Sequence, residues 1–98
     1  MQEELPVIHE DAAAAGGRYV VYLPDGSEAE LTYRRRDAST IVADHTGVPV
    51  AHRNAGIALR LVEALMADAR REGWRIVPAC SYVAAQFRRH KQWADLQA

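Results

Sequence analysis

The feature that most constrains the fold is a change of hydrophobic period near the middle of the chain. Before residue 47 the apolar residues come in short runs rich in β-branched and aromatic side chains, a pattern typical of β-strands. After residue 57 they recur at steps of three and four, which predicts one face of an amphipathic helix. The positions on that face are Ala58, Leu61, Val62, Leu65 and Ala69. The chain therefore passes from sheet to helix through one short connection.

That connection has the composition of an anion-binding loop. The strand-like run 40–45 is followed, at residues 53–58, by mostly small residues that open the helix. A turn from a strand into a helix start leaves backbone N–H groups without partners, and the helix dipole favours negative charge there. We therefore predict a pyrophosphate-binding segment, hereafter the anion loop, made of Arg53, Asn54, Ala55, Gly56, Ile57 and Ala58.

The remaining pattern predicts a small mixed fold. Turn residues at 24–27 separate two strand-like runs and indicate a hairpin, whereas the alanines at 12–15, ended by two glycines, indicate a loop. Gly73 is placed to end the long helix in a left-handed conformation. The strand after it should lie parallel to the fourth strand, because a helical crossover joins the two. The predicted strands are Leu5–His9, Arg18–Leu23, Ala29–Tyr33, Ser39–Thr46 and Trp74–Pro78.

The end of the chain is predicted to complete the core. Ser81 is a plausible N-cap for a short helix from Tyr82 to Arg89, and Trp93 and Leu96 are expected to fold back onto the core. Together these elements predict one α+β domain over residues 1–98. It should have a mostly antiparallel sheet of about five strands, one long helix and one short helix.

Composition argues against two kinds of partner, nucleic acid and an anionic membrane. With 98 residues, 49% hydrophobic content and a net charge of −1, the chain has no overall electrostatic attraction to nucleic acid or to an anionic membrane. Cys80 is the only cysteine, so no internal disulfide can form, and a reducing, cytoplasmic location is predicted. The histidines show no metal-ligand spacing, and no metal site is expected. Those histidines are His9, His45, His52 and His90.

Three ordered motifs resemble a known family. Arg53, Gly56 and Ala58 match the pyrophosphate loop of the GNAT superfamily of acyl-coenzyme A dependent N-acetyltransferases. The segments 45–49 (HTGVP) and 77–83 (VPACSYV), and the terminal residues 89–96, resemble the minimal GNAT-like (YjdJ-type) N-acetyltransferase domains. Agreement of several motifs in order is more specific than any one of them. Gly47, where these domains often have an acidic residue, is a departure from the pattern.

The resemblance implies a GNAT-like fold and an acetyl-coenzyme A cosubstrate. In this superfamily the fourth and fifth strands splay apart and coenzyme A enters between them. Backbone groups near residues 44–50, including Val48, are thereby implied in cofactor binding. The acceptor would be an amine, with a protein, a peptide or a polyamine as the expected class, because the small size of the chain predicts an open acceptor site.

Cys80 and His45 are the predicted catalytic residues. Cys80 directly precedes a predicted helix start, where the positive end of the helix dipole lowers a thiol pKa. The thiol could accept the acetyl group, with His45 as the activating base, or could protonate the departing thiolate. Tyr82 is a rival proton donor. The alternative is structural: Cys80 as a small buried side chain, and His45, which alternates with Ile41 and Ala43, as a partly buried histidine beside the core.

Two other classes of function remain open at this point. A non-catalytic acyl-coenzyme A binding or sensing module would keep the anion loop without turnover, which Gly47 and the lack of a secure base favour. A small protein-interaction domain would use the fold only as a scaffold, with the Trp93 tail as its contact surface.

Overall fold

The structure is a computed structural model that describes residues 5–98. These residues form five strands, two α-helices and three short 3₁₀ turns. The strands are β1 (Ile8–Asp11), β2 (Gly16–Tyr22), β3 (Glu28–Arg35), β4 (Thr40–Gly47) and β5 (Arg75–Pro78). The helices are α1 (Ile57–Glu72) and α2 (Ser81–Arg89). The 3₁₀ turns are Ala13–Ala15, Val50–His52 and Lys91–Leu96.

The strands form one sheet in the order β1-β2-β3-β4-β5. The first four are antiparallel neighbours, and β5 is parallel to β4, as predicted from the crossover through α1. Gly73 ends α1 with a φ of 76°, and its N–H donates to the carbonyl of Ala69. The α+β fold and the left-handed end of the long helix are therefore confirmed.

One face of the sheet carries the core. Alternate side chains of β2, β3 and β4 pack there against α1, and α2 and the C-terminal turn complete the cluster. Leu96 is buried and Trp93 packs against the cluster, so the prediction that the tail folds back is confirmed. The largest fully buried side chains include Tyr19, Leu31, Ile41, Leu61 and Leu65.

A polar contact at the core fixes α1 to the sheet. The buried Tyr19 hydroxyl donates to Asp68 Oδ2 over 2.7 Å, and Arg71 pairs with Asp68 Oδ1 at 2.7 Å. His9 of β1 stacks on the Tyr19 ring with 4.5 Å between centroids, and its Nε2 lies 2.7 Å from the Tyr33 hydroxyl. Burial is the main cause that raises the pKa of Tyr19, so the phenol stays protonated and keeps donating to the carboxylate.

A β-bulge in β4 reverses its side-chain alternation. Thr32 pairs with His45 and Tyr33 pairs with Ala43, which leaves Asp44 as an extra residue in β4. Before the bulge Ile41 and Ala43 face the core. After it Thr46, which pairs with the core residue Leu31, takes the core-facing side, and His45 takes the opposite side.

Three local predictions differ from the structure. The predicted strand Leu5–His9 lies too early, since β1 spans Ile8–Asp11. A hydrogen bond from Ala12 N to Gly16 O (2.7 Å) closes a tight connection, and β1 pairs with β2 from that connection onward, starting with Asp11 opposite Gly17. The alanines form a 3₁₀ turn within that connection instead of an irregular loop. Ser81 is the first residue of α2, and Cys80 occupies the N-cap position in extended conformation, so the predicted Ser81 cap is wrong.

The core position of Leu61 gives a stability prediction. Its side chain is fully buried between α1 and the sheet, so Leu61→Ala removes apolar contacts and leaves a cavity. We expect the free energy of unfolding to fall by about 2–5 kcal/mol in urea denaturation. Glu72→Ala, at an exposed position of the same helix, is the control and should change it by less than about 0.5 kcal/mol. Equal effects of the two substitutions would contradict this packing.

Candidate functional site

The candidate site begins where β4 and β5 separate. The strands pair only from Thr40 with Arg75 to Ala43 with Pro78, although β4 continues to Gly47. The last contact is the bond from Cys80 N to Ala43 O, at 2.8 Å. Pro78 has no N–H to extend the ladder, and the chain then turns into α2. Residues 44–47 of β4 thus have no β5 partner, and the place where the two strands part is hereafter called the gap; the family resemblance implied such a separation.

Cys80 lies at the gap. Its half-buried side chain places Sγ 3.5 Å from Oγ1 of Thr46, which the bulge turns to this side of β4. The cysteine also precedes the first residue of α2, so the sulfur lies at the positive end of that helix. The gap therefore holds the only thiol of the chain between a strand edge and a helix start.

The surroundings of Cys80 favour the thiolate. Burial acts to raise the pKa of the thiol, but hydrogen bonding from the Thr46 hydroxyl, and from the backbone N–H groups of Val83, Tyr82 and Thr46, acts to lower it. The second effect is larger in sum, and the pKa of Cys80 lies below its ordinary value.

A cleft of about 270 Å³ lies beside the gap, at the start of α1. Tyr82 of α2 lines the cleft on the side of Cys80, and its burial raises the pKa of the phenol, which therefore stays protonated. Ala55 belongs to the anion loop but is not a lining residue. The structure brings to this cleft the predicted cofactor-binding residues Val48, Arg53, Asn54, Gly56, Ile57 and Ala58.

The donors at this helix start fit a diphosphate. Gly56 is the N-cap of α1 with a φ of 77°, so no side chain caps the helix, and its first turn contains no acidic residue. Asn54 also has a positive φ, of 71°, which folds the loop tightly. Arg53 is exposed; its Nε donates to the carbonyl of Val48 at 3.3 Å, and within residues 5–98 it forms no ion pair. These groups leave backbone N–H donors and a cation for an anionic ligand.

The structure does not bring His45 to Cys80. The bulge places His45 on the exposed side of β4, opposite Thr32, instead of beside the core. Its Nε2 lies 2.9 Å from the point that a Cβ on Gly47 would occupy, so the ring lies across this glycine. Thr46 could not be predicted as the partner of Cys80, because the bulge that turns it toward Cys80 leaves no local signal in the sequence. A role for His45 as the base for Cys80 has no contact to support it.

His52 is a second residue that the sequence analysis did not assign to the site. It lines the cleft, and its Nε2 lies 2.9 Å from Oδ2 of Asp25 in the β2–β3 turn. Its position one residue before Arg53 was the only sequence signal available. In the part of the chain that the structure describes, no three His, Cys, Asp or Glu side chains are grouped to hold a metal ion. No helix of residues 5–98 is long and apolar enough to cross a membrane.

Comparison with known proteins agrees with this architecture. A solved structure of a "GCN5-like putative N-acetyltransferase" from Staphylococcus aureus superposes with a TM-score of 0.70. It is 20% identical, and the match covers 99% of this chain and 91% of the other, which is similarity of fold. No protein with curated annotation matches the chain. The sequence profile of the GCN5-related N-acetyl-transferase family matches residues 18–96. Because that match spans most of the sequence, the chain belongs to the GCN5-related N-acetyl-transferase family.

Proposed function

We propose that this protein transfers an acetyl group from acetyl-coenzyme A to an amine, with Cys80 at the reacting centre. The observation that carries the proposal is the position of the Cys80 thiol at the end of the β4–β5 ladder, two residues before Tyr82, which lines the cleft at the start of α1. A long, flexible cosubstrate with a diphosphate at one end and a thioester at the other can span two such adjacent sites. Family membership supports the reaction type.

In this proposal the cleft binds the diphosphate of acetyl-coenzyme A, and the gap positions its thioester. The backbone N–H groups of the anion loop and the Arg53 guanidinium bind the diphosphate. The pantetheine arm then lies along residues 44–47 of β4 and Val48 after it, where the strand edge has no β5 partner. Fixing both ends orients the thioester against Cys80, which converts an encounter in solution into a positioned reaction.

In the covalent route Cys80 is the nucleophile. Its thiolate attacks the carbonyl carbon of the thioester, a new sulfur–carbon bond forms, and the bond to the coenzyme A sulfur breaks. The coenzyme A thiolate leaves and takes up a proton, for which the protonated Tyr82 that lines the cleft is the proposed donor. A neutral amine then attacks the acetylated Cys80, the bond between the acetyl carbon and Sγ breaks to restore the thiolate, and the nitrogen loses a proton that returns to the Tyr82 phenolate directly or through solvent.

In the direct route Cys80 is the acid. The amine attacks the thioester of acetyl-coenzyme A itself, the bond from the acetyl carbon to the coenzyme A sulfur breaks, and the Cys80 thiol gives its proton to the departing sulfur. The nitrogen loses its proton to solvent, from which Cys80 is reprotonated for the next turnover. The thiolate that remains is stabilised by Thr46 and by the start of α2. Both routes consume one amine and one acetyl-coenzyme A and yield one amide and free coenzyme A.

The acceptor is proposed to be an amine that needs no enclosed pocket. Cys80 is only half-buried, and the end of β4 beside it presents exposed residues on its outer side, including His45. A protein lysine, a peptide N-terminus or a polyamine meets this requirement. The position of His45 suits contact with such an acceptor better than activation of Cys80.

The central test is the fate of the acetyl group on the intact protein. In the covalent route, incubation with acetyl-coenzyme A should add one acetyl group to the wild-type protein, mapped by mass spectrometry to Cys80, and an added polyamine or lysine peptide should remove it. Cys80→Ala should not be labelled there, and amide formation should fall by about 10²–10⁴-fold. Turnover without labelling, lost in the same variant, would identify the direct route. Cofactor binding without amide formation across an amine panel would favour a sensing module, and no binding would favour an interaction domain.

The electrostatics of Cys80 give an independent prediction. Its alkylation by iodoacetamide should have a pH midpoint below the value of about 8.5 for an ordinary cysteine. Thr46→Val removes the hydroxyl donor without changing the size of the side chain, and should raise the midpoint by roughly one pH unit. Thr32→Val, which loses a hydroxyl bond to Asp44 on the other face of the sheet, is the matched control. An unchanged midpoint in Thr46→Val would contradict the proposed support of the thiolate.

A further inference from the structure

His52 links the cleft to the turn of the β2–β3 hairpin. It is the last residue of the 3₁₀ turn Val50–His52, immediately before the anion loop. Its side chain is 25% exposed and lines the cleft, while its Nε2 lies 2.9 Å from Asp25 Oδ2. Apart from the bond from Arg53 Nε to the neighbouring Val48 carbonyl, this is the one side-chain hydrogen bond between residues 49–56 and the rest of the described chain.

Asp25 is held in place before it meets His52. Its Oδ1 accepts hydrogen bonds from the backbone N–H of Ser27 at 3.0 Å and from the Ser27 hydroxyl at 2.5 Å. Oδ2 is then free to accept from the imidazole. These bonds to Ser27 first, and to His52 second, hold the pKa of Asp25 well below its ordinary value. Asp25 is therefore an anion at every pH at which the protein would work.

The cleft has one histidine among its ionisable lining residues. Three of its lining residues can titrate: His52, Arg53 and Tyr82. Arginine stays protonated, and burial keeps the Tyr82 phenol neutral. A histidine, by contrast, changes charge between about pH 5 and 8. Because Asp25 is an anion, the net charge of the His52–Asp25 pair is zero when the imidazole is protonated and −1 when the imidazole is neutral.

We infer that protonated His52, oriented by Asp25, is a second anion-binding group for the diphosphate, and that cofactor affinity falls as this imidazolium loses its proton. The inference rests on the proposed function, because it assumes a diphosphate in the cleft. With Nε2 bound to Asp25, the protonated ring has its Nδ1–H left to donate to the ligand. When the ring is neutral, the carboxylate behind it repels the same ligand. The effect is opposite to that expected for Cys80, whose reactivity rises with pH.

The test uses a probe that does not titrate itself. The only phosphate of dephospho-coenzyme A is a diphosphate diester, which is fully ionised between about pH 6 and 8, and its thiol stays protonated there, so a pH dependence in this range belongs to the protein. Calorimetric titration at constant ionic strength should show wild-type affinity about threefold to fivefold weaker at about pH 8 than at about pH 6. His52→Gln keeps a donor for Asp25 but no charge. It should bind at both values as weakly as the wild type does at the higher one.

The matched control is His90→Gln. His90 is also half-buried, with Nε2 3.1 Å from Gln86 Oε1, but it lies at the far end of α2 and does not line the cleft. This variant should keep the wild-type pH dependence. A wild-type affinity independent of pH, or an unchanged pH dependence in His52→Gln with a native amide spectrum, would overturn the inference alone. If the wild type binds neither dephospho-coenzyme A nor acetyl-coenzyme A, the proposed function fails and this inference fails with it.

Discussion

Four residue pairs join β4 to β5, and the candidate site exists because the pairing stops there. Had the ladder continued, the backbone groups of residues 44–47 would have been hydrogen-bonded to β5, and the longer strand would have covered Cys80. The ladder ends at Pro78, which lacks an N–H, and the chain turns at once into α2. The bulge at Asp44 then turns Thr46 toward the opening. A strand edge, a helix start and a thiol meet at one point for that reason.

A chain with a net charge of −1 can still attract an anion if its cations are placed locally. Several arginines are engaged elsewhere: Arg18 bonds Glu10, Glu28 and Glu30, and Arg70 bonds Asp95. Arg53 bonds only a carbonyl within the described residues. Helix starts add their dipoles at both parts of the site, through α1 at the cleft and α2 at Cys80. Positive charge, from Arg53 and the two helix starts, is thus concentrated where the proposed cosubstrate carries its diphosphate and its reacting sulfur.

The elements that could be predicted are those that depend on the pattern of residue types close together in the sequence. The period of α1, Gly73 at its end, the parallel fifth strand and the position of the anion loop each depend on neighbouring residues. The orientation of His45 could not be predicted, because one unpaired residue in β4 reverses every side chain after it. The bond between His52 and Asp25 joins residues that only the folded hairpin brings together. Cys80 displaced Ser81 as the cap because the helix begins one residue earlier than its pattern indicates. The roles of the predicted site residues in binding and catalysis remain predictions.

The proposed function requires that acetyl-coenzyme A occupies the cleft and the gap together. The direct measurement is an amide-resolved NMR titration of the full chain with acetyl-coenzyme A. We expect the largest shifts on the anion loop, Arg53 to Ala58, and on Thr46 and Cys80, with little change at the β3–β4 turn. Shifts at the anion loop alone would contradict the placement of the thioester in the gap. No shifts up to about millimolar cofactor would contradict the proposed function.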